Sequence, residues 1–103
     1  MSIVTVFRSR LRPGAEADYA LVAEEMSRLV QAMDGFIDQK YYESPDGERV
    51  TIVRFRDLAS QRVWAERSEH VAAQRRGRSE FYSWYDISVS DELHEHRFEG
   101  PTS

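Results

Sequence analysis

VWAERSEHVAAQRRGRSEFYSWY, residues Val63–Tyr85, holds both tryptophans, two of the five tyrosines and the one histidine outside the C-terminal tail. Its first part has helical spacing and its last part alternates as a strand does, with Gly77 between them. His70, Ala73, Gln74 and Gly77 fall three, four and seven positions apart, on one helical face. From Glu80 to Val89, Phe81, Ser83, Tyr85, Ile87 and Val89 alternate with Tyr82, Trp84, Asp86 and Ser88. So many rings in so short a segment either fill a core or line a pocket.

Working outward, the same alternation marks Ile3–Leu11 as a strand, stopped by Arg12-Pro13-Gly14. Ala15–Met33 carries Tyr19, Val22, Met26, Leu29, Val30 and Met33 on one stripe of an amphipathic helix, which Asp34-Gly35 ends. Phe36–Glu43 and Arg49–Asp57 flank Ser44-Pro45-Asp46-Gly47, strong turn chemistry for a hairpin. Asp57 is placed to cap a helix over Leu58–Arg67 and Ser68 to cap a second over Glu69–Arg76, ended by Gly77. The tail beyond Ser90 is polar, with a short edge strand expected over His94–Phe98, laid against a partner. The order βαββαβ predicts an α+β, ferredoxin-like fold with a four-stranded antiparallel sheet and helices on one face. The other face carries Val4, Val6, Val50 and Ile52, and the simple way to cover it is a second copy, giving a homodimer.

At 103 residues the chain fits one domain, with its core at about residues 2–90 and a tail over 91–103. The formal net charge of −4 and scattered arginines argue against nucleic acid as a partner. No cysteine is present, which removes disulfides and thiolate chemistry. Nothing approaches membrane-spanning length, and the N-terminus lacks the pattern of a signal peptide, so a cytoplasmic protein without a membrane partner is expected. No phosphate loop or dinucleotide fingerprint occurs, so no nucleotide or flavin cofactor is expected.

Among single residues, His70 suits proton transfer, since imidazole titrates near neutrality. Gln74, one turn on, is placed to hydrogen-bond the same ligand. The plainer alternative is that both point into water. Trp64, Phe81, Tyr82, Trp84 and Tyr85 are candidates for the walls of an aromatic pocket. Arg54 is a candidate to hold an anionic oxygen, or else to pair with a carboxylate at the sheet surface. His94-Glu95-His96 offers two ligands at most, so no metal site is expected.

With RPG at Arg12–Gly14, DGF at Asp34–Phe36, FRDLASQRVW at Phe55–Trp64 and SEHVAAQRRGRSEFYSWYDISV at Ser68–Val89, the chain resembles the antibiotic biosynthesis monooxygenase family. The resemblance implies a dimeric α+β barrel with a ligand cavity between sheet and helices in each subunit. It also implies oxidation of an aromatic or quinone-forming small molecule by O2, without metal or flavin, the substrate's own anion supplying the electron. His70 would then be the catalytic base, with Trp64, Gln74, Tyr82, Trp84 and Arg54 around the substrate. A second branch of the family degrades haem with Asn, Trp and His; these positions fall at Phe7, Trp64 and Gln74, which adds Phe7 to the binding residues and removes the family's axial His unless His70, one turn earlier, replaces it. The first reading is thus a cofactor-independent monooxygenase. The alternatives are a non-catalytic small-molecule-binding dimer and, third, a haem-degrading enzyme.

Overall fold

In the computed structural model, which describes residues 2–101, the strands are β1 (Ile3–Leu11), β2 (Phe36–Glu43), β3 (Arg49–Phe55) and β4 (Tyr82–Asp91). The helices are α1 (Glu16–Gln31), α2 (Leu58–Glu66) and α3 (Ser68–Arg76), and a π-helical turn, Gly77–Phe81, joins α3 to β4. The strands form one antiparallel sheet in the order β2-β3-β1-β4, the ferredoxin-like βαββαβ arrangement expected from the sequence.

Strand register sorts the side chains into two faces. On the helix-covered face, Val53, Thr5 and Val89 form one cross-strand row and Thr51, Phe7 and Ile87 the next. Alternation along each strand puts Val4, Val6, Val50 and Ile52 on the opposite face. The core cluster of Val30, Phe55 and Trp64 lies between sheet and helices, with Met26, Leu29, Met33, Phe36 and Val53 packed against it. The stripe read on α1 is therefore the face it buries.

Each junction has a local cause. Gly35, at φ +83°, turns the chain out of the α1 region, and its carbonyl accepts from the Arg56 N–H at 2.7 Å. Gly47, at φ +93°, closes the β2–β3 hairpin, where Ser44 N–H donates to the Glu48 carbonyl at 2.9 Å. β3 ends at Phe55 rather than Asp57, because Asp57 leaves the ladder to cap α2: its carboxylate accepts from the Ser60 N–H at 2.8 Å.

Two expectations need correction. Ser68 is the first residue of α3, not its cap; Arg67 holds the cap position in extended conformation, with no side-chain cap bond. Gly77 caps α3 at the expected place, and its φ of −56° and ψ of −48° let the chain run on into the π turn. Glycine is needed there for space: a Cβ would collide with the ring of Tyr82. The expected strand over His94–Phe98 does not form. β4 runs to Asp91, the Glu92 N–H still reaches the Ser2 carbonyl at 2.9 Å, and the described residues beyond, to 101, have no regular structure. No helix among the described residues is long and apolar enough to cross a membrane.

Candidate functional site

Between the sheet and the three helices lies a cavity of about 330 Å³. That is the lower end of the range typical for small-molecule sites, about 300–1,000 Å³. The sheet supplies Thr5, Phe7, Gln39, Thr51, Val53, Ile87 and Val89 as its floor. From α1 come Tyr19, Val22, Met26 and Val30; α2 adds Gln61 and Trp64, and α3 adds His70, Ala73 and Gln74. Tyr82 and Tyr85 close the end nearest the π turn. None of the described residues lining the cavity carries a formal charge at neutral pH.

His70 is reached because α2 and α3 meet at a sharp bend at Arg67. The bend lays the imidazole on Trp64, ring centroids 4.5 Å apart and planes 36° apart. His70 Nδ1 lies 3.4 Å from the Ala65 carbonyl oxygen. A carbonyl can only accept, so this contact favours the tautomer with its proton on Nδ1 and the Nε2 lone pair free. Burial lowers the His70 pKa below the ordinary imidazole value, the Ala65 contact opposing it, so the ring is neutral at pH 7. Tyr82 is shifted the other way: burial, with neighbouring Tyr19, raises its phenol far above the ordinary range and keeps its proton in place.

Of the residues singled out in the sequence, His70, Trp64, Gln74, Tyr82 and Phe7 meet on the walls of this one cavity. Trp84 and Arg54 do not. A β-bulge between Arg10 and Leu11 pairs Leu11 with Tyr82 but Arg10 with Trp84. The extra residue, Ser83, turns Tyr82 to the side of Tyr85 and leaves Trp84 on the opposite face, under the guanidinium of Arg8 at 5.8 Å. Arg54 pairs across the sheet with Val4 and so shares that opposite face. There it meets Glu92 at 3.0 Å, Glu95 at 3.7 Å and Asp38 at 3.8 Å, the carboxylate pairing that was its plainer reading.

Sequence reasoning missed Gln61 and Thr5. Gln61 is 8% exposed, lines the cavity one helical turn before Trp64, and makes no side-chain hydrogen bond within the described residues. Its i, i+3 spacing from Trp64 was the available signal. Thr5 Oγ1 is buried on the cavity floor without a partner. An unpaired buried polar group costs stability unless something else satisfies it. Neither side chain has a hydrogen-bond partner within the described residues.

A family model described as antibiotic biosynthesis monooxygenase matches residues 2–76. The chain belongs to that family. The match ends at the last residue of α3, so the π turn and β4, with Tyr82 and Tyr85, lie beyond it.

Among curated relatives, the uncharacterized protein YqjZ of Bacillus subtilis is 27% identical over 85 residues, covering 82% of this chain and 75% of that protein. Among solved structures, Rv0793 from Mycobacterium tuberculosis superposes with a TM-score of 0.83 at 20% identity, covering 94% of this chain and all of the other. SnoaB from Streptomyces nogalater, described as a cofactor-independent oxygenase, superposes with a TM-score of 0.76 at 16% identity, covering 91% of this chain and 95% of SnoaB. At these identities the two superpositions speak to the fold. In this member of the monooxygenase family, the shared fold carries an uncharged, largely apolar cavity with one imidazole on its wall.

Proposed function

We propose that the chain is a homodimeric monooxygenase that oxidises an aromatic, quinone-forming small molecule with O2, using no bound cofactor, and that His70 is its base. One observation carries the reading: a neutral imidazole stacked on Trp64 at the wall of an apolar cavity. Family membership and the description of SnoaB support the reaction class.

The chemistry asks for what these residues offer. A ring CH2 made acidic by conjugation with a ketone, as in an anthrone, gives a proton to His70 Nε2 and leaves an enolate. Tyr82, held protonated, and the amides of Gln74 and Gln61 are the donors available to its oxygen. The enolate passes one electron to O2, and the resulting radical and superoxide combine to form a C–O bond. The peroxide takes the proton back from the imidazolium. Loss of water, made from its distal OH and the second C–H proton, leaves a carbonyl. In sum, CH2 and O2 give C=O and H2O. The apolar walls keep bulk water from the enolate.

The second copy belongs on the sheet face opposite the cavity. Val4, Val6, Val50 and Ile52 form an apolar strip there with half-exposed side chains, and Trp84 and Tyr42 are exposed. Covering such a strip is the usual role of a two-fold partner.

The test is O2 uptake with a panel of anthrones and oxidisable phenols, with haem as a control. One O2 consumed per quinone formed is the expected result. Binding without uptake across the panel would leave the non-catalytic binding module as the better account, and turnover of haem alone would leave the haem-degrading one.

A further inference from the structure

We propose that the molecule held in this cavity carries a carboxylate at the end remote from His70, and that Arg49 selects for it. The inference rests on the cavity being a ligand site and adds the charge of the ligand.

The register defines the two ends. Trp64, under His70, packs with Val30 and Phe55. Six residues back along β3 from Phe55, about 20 Å at strand rise, stands Arg49, on the same sheet face. Tyr19 stands eleven residues back along α1 from Val30, about 16 Å at helical rise. Its ring lies 5.0 Å from the Arg49 guanidinium. The row Arg49–Ser9–Tyr85 directly follows the cavity row Thr51–Phe7–Ile87. Tyr85 and Tyr82 line the cavity at that end, and Arg49 stands one row beyond its lining, across the buried Ser9 from Tyr85.

Arg49 itself is under-used by the protein. The guanidinium sits between the rings of Tyr19 and Tyr41, at 5.0 and 5.1 Å. Its Nε is buried and has no hydrogen-bond partner among the described residues. Its ion pair, with Glu43, is long at 3.7 Å, and the Glu43 side chain is half exposed. Glu43 also accepts from the Tyr41 hydroxyl at 2.6 Å, so its charge is shared. A buried guanidinium N–H without an acceptor is costly, and a carboxylate is the group whose geometry a guanidinium fork matches. No carboxylate lines the cavity itself among the described residues, and the one that reaches Arg49, Glu43, does so only at 3.7 Å. A substrate lying along the floor would put its reacting carbon under His70 and its acid group against Arg49.

The test compares two probes of matched shape, anthraquinone-2-carboxylate and anthraquinone-2-carboxamide, by titration calorimetry. The wild-type protein should bind the carboxylate about tenfold or more tightly, the scale of a charge-assisted hydrogen bond. Arg49→Gln should erase that preference while leaving carboxamide affinity within about threefold, the structural contribution of one exposed-edge stack being small. Glu43→Gln, a change at an exposed side chain that leaves the fold in place, should tighten carboxylate binding roughly twofold to fivefold by freeing Arg49. Equal binding of both probes by the wild type overturns the inference and leaves the cavity reading intact. So does a preference that survives Arg49→Gln, or Glu43→Gln leaving carboxylate affinity unchanged. Binding of neither probe overturns the cavity reading and this inference with it.

Discussion

The imidazole of His70 lies against the indole of Trp64, centroids 4.5 Å apart, where α2 and α3 turn about Arg67. The contact joins the core to the candidate site, because Trp64 also packs on Val30 and Phe55. Trp64→Ala should therefore do two things. It should destabilise the protein by about 3–5 kcal/mol, as large-to-small core changes do, read as a lower urea midpoint. It should also let water reach His70 and move the imidazole pKa back toward its ordinary value, read by NMR. Trp64→Phe should keep most of both.

His70 makes the pH response specific. Burial lowers its pKa in the folded chain, so between that value and the unfolded value, about 6.5, the unfolded chain binds more protons. The contribution of His70 to stability is thus fully present above the unfolded pKa and is lost as pH falls through the window below it. Urea unfolding at pH 7.5 and pH 5 should show this loss, and His70→Gln should flatten it. The rate of turnover should fall on the same acidic side, with a midpoint below the usual imidazole range.

Gly77→Ala tests the close approach of α3 to Tyr82. The backbone of Gly77 is helical, so alanine suits its φ and ψ. The added methyl group nevertheless meets the Tyr82 ring and must push it toward the cavity. Overpacking of this kind costs about 1–3 kcal/mol. Chemical denaturation should find that loss and calorimetry weaker ligand binding, where an isolated helix would gain from the change.

The outer sheet face supplies a prediction about assembly. Ile52 sits at the centre of the strip beside Val6, its cross-strand partner on β1. Ile52→Glu should leave the cavity side untouched and shift the protein from dimer to monomer in light scattering. A wild-type monomer at micromolar concentration would remove the second copy from the account.

Much of the fold was legible because its signals are local. β1 and β2 have the bounds that alternation gives, and Pro45-Asp46-Gly47 fixes the hairpin. Asp57 caps α2 as its position before Leu58 indicates. The site was legible only in part, because which face a side chain takes depends on events elsewhere. Strict alternation from Glu80 puts Tyr82 with Trp84, and one bulged residue at Ser83 reverses that pairing. Arg54 was assigned to the pocket although its alternation with Val53 and Phe55 places it outside; Arg49, two pairs of residues earlier on the cavity side than Val53, is the arginine the fold brings near. Gly77 ends α3 as glycine usually does, and only the packing of Tyr82 gives the other reason for it.

The central claim is that His70 moves the proton, and the direct measurement is turnover and binding in the same variant. His70→Ala should bind the aromatic probe within a few-fold of wild type, while O2-dependent quinone formation falls by about 10²–10⁴, the usual contribution of a positioned base. Quinone formation at the wild-type rate by a folded His70→Ala protein would contradict the account.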